Sequence, residues 1–172
     1  MLRSQITVIA GLLAFALPVQ AQEPVFDPEL SLSCYYESGS GPGHAPALEC
    51  VGLSANACMD STPEGSSTVG MGHCLNQEYA LWDDHLNNAY RVLRDKLEAD
   101  DAEMERIGAL TTSQAGALRE MQVAWIAYRD ASCEFERARW GGGTGGGPAQ
   151  LACLMHETAR QYFILATEAE GD

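Results

Sequence analysis

Apolar residues recur at alternating spacings of four and three in three separate stretches of the second half of the chain. The stripes are Leu75, Tyr79, Trp82, Leu86, Ala89/Tyr90, Leu93 and Leu97; Leu118, Met121, Trp125, Tyr128, Ser132 and Phe135; and Leu151, Leu154/Met155, Thr158, Tyr162 and Leu165. This spacing places each stripe on one face of a helix, where we expect it to face a shared core. No strand pattern separates the stripes. The sequence therefore predicts an all-α fold, an antiparallel helical bundle of about three long helices.

The connections between these helices have signals of their own. Thr111 to Ser113 can cap the second helix, and Pro148 suits the first turn of the third. The charged stretch 100–109 is expected to form a bent or short helical connection. The glycine run 141–147 predicts a flexible turn, because it follows a helix and lacks the lysine of a phosphate-binding loop.

The first 71 residues have a different character. Residues 1–21 contain Arg3, an apolar run from Ile6 to Leu17 and the small-residue pattern ending at Ala21, which together predict a secretory signal peptide. Its apolar run is too short to span a membrane. Residues 22–71 are rich in proline and glycine and predict a loop-rich segment stapled by disulfides, with one short helix from Ser54 to Asp60 that Ser54 could cap. Residues 72–168 form the predicted helical domain.

Export would place the six cysteines in an oxidising compartment, periplasmic or extracellular, where an even number predicts three disulfides. Cys133 and Cys153 lie at similar distances from the glycine turn, so that they would be level on neighbouring antiparallel helices. Cys58–Cys74 and Cys34–Cys50 are then the simplest remaining pairs. Other pairings among these four cysteines stay open.

The chain is strongly acidic, with 24 Asp and Glu against 10 Lys and Arg and a formal charge of −14. This balance argues against a nucleic-acid partner, which would need clustered basic residues. It favours a cationic protein as the partner.

Catalytic and metal-binding motifs are weak. There is no Cys-x-x-Cys, and the four histidines show no helical i,i+4 pair, so we expect no metal and no cofactor. Glu78, Asp83 and Asp84 could be paired carboxylates of a glycoside-active enzyme. In so acidic a chain, a solvated helix face is the favoured interpretation of these residues, and we expect no enzymatic activity.

Arg129 and Asp130 offer a contact between helices. If the first two helices fold back about a turn centred near residue 106, Arg129 comes level with Asp83. Its guanidinium would then bind Asp83 or Glu78 and stack on Trp125. We expect a clamp that holds the two helices in register; the alternative is a partner-binding arginine.

These residues resemble a known family, the LprI-like lysozyme-inhibitor domain, over roughly Cys58 to Leu165. Besides the cysteines, the residues of the resemblance are Glu78, Trp82, Asp83, Leu86, Asn87, Tyr90, Gln122, Trp125, Tyr128, Arg129, Asp130 and Thr158. The resemblance implies a small exported, all-helical protein that binds lysozyme or protects the envelope without catalysis. The chain departs from the family at Gln161, where an arginine is usual, and it lacks the lipid-anchoring cysteine of the namesake.

Together these features predict an exported, non-catalytic binding protein that inhibits lysozyme by protein–protein capture. The alternative is a structural or stress-related envelope protein with another periplasmic partner. Candidate binding elements are the turn 141–147 and four acidic residues: Asp84, Glu98, Asp100 and Asp101.

Overall fold

The structure is a computed structural model that describes residues 22–38, 47–109 and 112–170. The predicted signal peptide, 1–21, lies outside these residues, as does the expected cap residue Thr111. The described chain is all-α, as the hydrophobic pattern predicts, with helices α1 (Glu29–Glu37), α2 (Leu53–Asp60), α3 (Thr68–Arg106), α4 (Gln114–Ala138) and α5 (Gly146–Glu170). Two short 3-10 turns, Leu48–Cys50 and Pro63–Ser66, complete the N-terminal segment.

The three long helices alternate in direction along the chain. Arg129 of α4 approaches Asp83 of α3 to 4.0 Å, and Ser113 before α4 contacts Asp101 near the end of α3. In both pairs of contacting residues, the midpoint in the sequence lies near residue 106. This is the contact pattern of antiparallel neighbouring helices joined by a turn at that residue. The disulfide Cys133–Cys153 relates α4 and α5 in the same way. Helices α3 and α5 share the largest interface, and α4 packs mainly on α5.

Helix α3 is longer than the sequence pattern predicts. It begins where the Ser67 side chain accepts a hydrogen bond from the Gly70 backbone N–H, and it continues for 39 residues to Arg106. The stretch 100–109, expected as a bent or short helical connection, is helical as far as Arg106, but it continues α3 and is not a separate or bent element. After Gly72 the chain has no glycine or proline until Gly108, whose φ is +72°, and an ion pair between Arg106 and Glu103 supports the last turn of the helix.

The centre of the core is a cluster of aromatic rings from three helices. Trp82 of α3 is completely buried and lies edge-on to Tyr35 of α1 and Phe163 of α5. Tyr35 stacks on Phe163 with 4.8 Å between ring centroids, and Tyr162 packs beside both. Burial, followed by a hydrogen bond with Tyr35, raises the pKa of Tyr162. Residues of the N-terminal segment are thus part of the bundle core.

The sequence pattern missed α1 and placed the start of α2 wrongly. Helix α1 buries only Ser31 and Tyr35, one of them polar, so that it shows no hydrophobic stripe to detect. The residue before α2 is Gly52 with φ +96°, a left-handed conformation that suits glycine. Ser54, the expected cap, lies inside the helix and is fully buried.

The expected inward stripe of α4 is wrong for half of its members. Met121, Tyr128 and Phe135 are exposed, and Leu118 and Cys133 are the only fully buried residues of this helix. The face that packs on α3 and α5 instead includes Gln122 and Arg129. Because these residues are polar, apolar periodicity does not indicate that they are on the inner face. Because α4 covers one edge of the α3–α5 pair, only a narrow face of it is buried.

Candidate functional site

Three disulfides crosslink the fold. Cys34–Cys50 joins α1 to the first 3-10 turn, Cys58–Cys74 joins α2 to α3, and Cys133–Cys153 joins α4 to α5. These are the pairs favoured from helix geometry and simple connectivity, and the described chain contains no free cysteine. The disulfides confine the N-terminal segment to the start of α3.

Glu78 is the most extensively bonded side chain of the resembling set. Its carboxylate is completely buried and accepts four hydrogen bonds. Oε1 accepts from Ser31 Oγ at 2.8 Å, from the Gly52 backbone N–H at 2.6 Å and from Trp82 Nε1 at 3.0 Å. Oε2 accepts from the Ala55 backbone N–H at 2.7 Å. The side chain therefore joins α1, the start of α2 and the core tryptophan to α3.

Two serines extend this network. The Ser31 backbone N–H donates to Ser54 Oγ at 3.1 Å, and the Ser54 backbone N–H donates to Ser31 Oγ at 3.0 Å. Every buried polar atom of the described side chains has a partner. Glu78 is consequently enclosed by protein, and neither a saccharide nor Arg129 reaches it. The expectation that Arg129 contacts either Asp83 or Glu78 is met by Asp83 alone.

Arg129 joins α4 to both neighbouring helices. Its Nη1 lies 4.0 Å from Asp83 Oδ1 on α3 and donates to Thr158 Oγ1 on α5 at 3.3 Å. Nε and Nη2 both donate to Oδ1 of Asp130, and the guanidinium lies 5.0 Å from the centre of the Trp125 ring. The Arg129 side chain is only 11% exposed, and its contacts with α3 and α5 match the predicted clamp.

The position that departs from the family pattern makes a different contact. Gln161 is buried, and its Nε2 donates to Gln122 Oε1 at 3.0 Å and contacts the Met121 sulfur at 3.4 Å. A pair of neutral amides thus joins α4 and α5 where the family usually has a charged side chain. The pairing needs no counter-ion, which fits a buried position.

The other resembling residues on α3 have structural positions. Leu86 is buried, and Tyr90 packs partly buried against the core. Asn87 is exposed and donates to Asp83 Oδ2 at 2.9 Å, which orients the carboxylate that faces Arg129. Most of the resembling side chains therefore point inward or between helices.

The four acidic candidates do not share one surface. Asp101 accepts hydrogen bonds from the Gln114 backbone N–H at 2.8 Å, the Ser113 hydroxyl at 2.7 Å and the Ala115 backbone N–H at 3.0 Å. These bonds, that of Gln114 first, lower the pKa of Asp101. Its carboxylate therefore caps the start of α4, a structural role in addition to the predicted one.

Asp84 and Glu98 are exposed and lie on one side of α3, about four helical turns apart. Asp95 and Glu105 are exposed on the same side. We call Asp84, Asp95, Glu98 and Glu105 the acidic face of α3. Asp100 falls in line with the buried stripe, beyond the end of the core, and is not part of this face.

The glycine turn holds an exposed aromatic side chain at its start. Trp140 is 53% exposed, and its ring lies so close to Gly145 that a Cβ there would fall 2.3 Å from it. Gly141 and Gly142 have positive φ angles, so the chain reverses there at little steric cost. The glycine run therefore forms a turn of defined conformation between α4 and α5.

The described residues contain neither a cluster of metal ligands nor a membrane-spanning helix. Within 22–38, 47–109 and 112–170, no three His, Cys, Asp or Glu side chains are arranged to hold a metal ion. No helix in the same ranges is long and apolar enough to cross a membrane.

Comparison with known proteins identifies the family. The model of the family described as lysozyme inhibitor LprI matches residues 58–163. The chain belongs to the LprI family. The matched region begins at Cys58 in α2 and ends at Phe163 in α5, so that it includes the Arg129 clamp and two of the three disulfides. Glu78 lies inside this region, whereas its partners Ser31, Gly52 and Ala55 precede it.

Two relatives of this LprI-family chain come from bacteria. Uncharacterized protein R02472 of Rhizobium meliloti is 31% identical over 122 residues, which cover 68% of this chain and 88% of the relative. An uncharacterized 17.7 kDa protein in the puhA 5′ region of Rhodobacter capsulatus is 24% identical over 128 residues, or 74% of this chain and 78% of the relative. No solved structure matches the chain significantly.

Proposed function

We propose that this LprI-family chain is an exported, non-catalytic protein that binds lysozyme and inhibits it by covering its surface. The observation that carries the proposal is the family match over residues 58–163, which spans the greater part of the three-helix scaffold. The family's description names the inhibited enzyme. The partner is then a cationic protein, and the function requires neither a metal nor a cofactor.

The positions of the carboxylates support a non-catalytic role. Glycoside hydrolysis needs two carboxyl groups that reach the same sugar, one as acid and one as base or nucleophile. Glu78 is completely buried under the N-terminal segment, and Asp83 is held between Asn87 and Arg129. These two candidates therefore have structural roles, and neither opens into a common cleft.

We propose the acidic face of α3 as the surface that meets lysozyme. Asp84, Asp95, Glu98 and Glu105 lie on this side, where Arg91 is the interspersed base. Arg94 at its edge pairs with Asp95 at 2.6 Å and with Glu98 at 3.5 Å. A row of carboxylates on a rigid helix attracts a cationic protein and raises its association rate.

We also propose export to the periplasm or beyond. Three disulfides tie the described chain together, and disulfides persist in oxidising compartments. The leader-like pattern of residues 1–21 would direct this export. Mass analysis of the protein recovered from a periplasmic extract tests it, with Gln22 expected as the first residue.

The function is tested by measuring lysozyme-driven clearing of a suspension of bacterial cell walls in the presence of the purified, oxidised chain. We expect inhibition at micromolar concentrations, stronger at about 10 mM salt than at about 150 mM, because the Debye length falls from about 30 Å to about 8 Å. Failure to inhibit lysozymes of several classes at either ionic strength would remove the proposed function.

The surface is tested separately with matched charge variants. The triple variant Asp84→Asn, Asp95→Asn and Glu98→Gln neutralises the acidic face of α3, and we expect weaker inhibition through a slower association rate. The control variant removes the same charge from exposed residues of the N-terminal segment: Glu23→Gln, Glu37→Gln and Asp60→Asn. Equal loss of inhibition in both variants would mean that net charge alone matters, and the acidic face would be rejected.

A further inference from the structure

Helix α4 has an exposed stripe in which small and large apolar residues alternate. The stripe follows a regular 4-3-4-3-4 spacing and consists of Ala117, Met121, Ala124, Tyr128, Ala131 and Phe135. Its large members are substantially open to solvent: 40% for Met121, 64% for Tyr128 and 65% for Phe135. A stripe at this spacing is the pattern with which one helix packs along another. Within the described residues, no helix packs along it, and α5 contacts it only at its edge, where Gln161 reaches the Met121 sulfur.

The order of residues in the stripe makes it complementary to itself. When two copies of α4 run antiparallel about a twofold axis level with residue 126, residue i of one copy meets residue 252 − i of the other. Each large side chain then meets an alanine. The facing pairs are Ala117 with Phe135, Met121 with Ala131, and Ala124 with Tyr128 of the second copy. Large residues that fit against small ones let two helices approach closely without leaving cavities.

The charge of α4 also suits contact between copies. The helix carries four acidic residues and three arginines, whereas the whole chain has 24 acidic and 10 basic residues. Two copies that met through α3 would bring acidic surfaces together. At α4 they meet through a helix with nearly balanced charge, so like-charge repulsion is smaller there than at α3.

We propose that this stripe is an interface between two copies of the chain, formed by antiparallel packing of α4 on α4. The interface is isologous, because the same residues contribute from both copies. Met121, Tyr128 and Phe135 together offer about 300 Å² of apolar side chain per copy, given the area that such residues bury. This is below the area of standard stable interfaces, so the dimer is weak and forms at high micromolar concentration.

Sedimentation equilibrium of the oxidised chain between about 10 μM and about 1 mM tests the dimer. We expect added salt to favour dimerisation, because it screens repulsion between two acidic copies. This response is opposite in sign to that of lysozyme capture, so that the two proposals fail separately. A chain that remains monomeric at the highest concentration would overturn the proposal.

Exchange of one facing pair gives the sharper test. Tyr128→Ala removes a large residue, and Ala124→Tyr places two tyrosines against each other, so that we expect each to raise the dimer dissociation constant about tenfold. The double variant carrying both changes restores a large residue opposite a small one and should recover most of the dimer. Circular dichroism confirms that each variant keeps its helical content.

Val123→Tyr serves as the control, because Val123 is 62% exposed on α4 but lies outside the stripe. We expect it to leave the dissociation constant unchanged. Loss of the dimer in the double variant, or in the Val123 control, would overturn the pairing. The pairing would also be overturned if Tyr128→Ala abolished lysozyme inhibition while the wild-type chain was monomeric. Lysozyme would then be the occupant of the stripe.

Discussion

Replacing Glu78 with glutamine tests whether one buried carboxylate holds the N-terminal segment on the bundle. The substitution keeps the size of the side chain and removes its charge and one of its two acceptor oxygens. All four groups that contact Glu78 are hydrogen-bond donors: Ser31 Oγ, the backbone N–H groups of Gly52 and Ala55, and Trp82 Nε1. An amide oxygen placed at Oε1 can retain three of these bonds. The amide nitrogen then faces the Ala55 N–H, donor against donor.

The expected loss of stability follows from these contacts. A hydrogen bond to a charged group contributes about 1.5–3 kcal/mol, and a buried donor left without a partner costs about 1–3 kcal/mol. Removal of the carboxylate's desolvation cost offsets part of this loss. We therefore expect Glu78→Gln to lower the free energy of unfolding by about 3 kcal/mol.

Urea unfolding at pH 7 measures the free-energy change, and hydrogen exchange locates it. We expect faster exchange at the Gly52 and Ala55 amides and an upfield shift of the Trp82 indole proton. The matched control is Glu105→Gln, the same substitution at an exposed position of α3, which should change stability by less than about 0.5 kcal/mol. A loss below about 1 kcal/mol for Glu78→Gln, or unchanged exchange in α2, would refute the reasoning.

Three further predictions follow from single structural features. Replacing Cys133 and Cys153 by alanine opens a loop with a sequence separation of 20 residues, and denaturant unfolding should show a loss of about 3 kcal/mol. Gly52→Ala forces a side chain into a conformation with φ +96° and should cost about 1–2 kcal/mol in the same assay. Because the pKa of Asp101 is lowered on folding, its contribution is complete above the unfolded value near 3.8 and disappears as the pH falls through the folded pKa. Thermal unfolding at pH 2–7 should therefore show a shallower loss of stability at acidic pH for Asp101→Asn than for the wild type, and an identical pH profile would contradict the capping role.

The outcome for α4 shows where apolar periodicity misleads. Met121, Tyr128 and Phe135 share a helical stripe, yet the structure leaves all three exposed. Arg129 lies on the inner face, where Asp83 and Thr158 satisfy it. The family motif indicated this face better than hydrophobicity did, because a motif can include polar residues whose partners lie on another helix.

The opposite case is Asp101, which composition alone presents as one more surface acid. Its role as a cap appears only when the chain turns and brings Ser113 and Gln114 back to it. In the same way, local spacing places Glu78 between Leu75 and Trp82 of the apolar stripe but does not show which groups bind its carboxylate. Three of its four donors come from residues 23 to 47 positions earlier in the chain.

The sequence by itself determined the helical class, the positions of three long helices, the level of the turn near residue 106 and the pair Cys133–Cys153. All of these depend on local spacing, which the 3.6-residue helical repeat converts directly into position. Only the tertiary structure decided which face of α4 is buried, that α1 and α2 close over Glu78, and which acids remain free. Those outcomes depend on hydrogen-bond partners and shape complementarity between segments far apart in the chain. Local spacing does not contain information about such contacts.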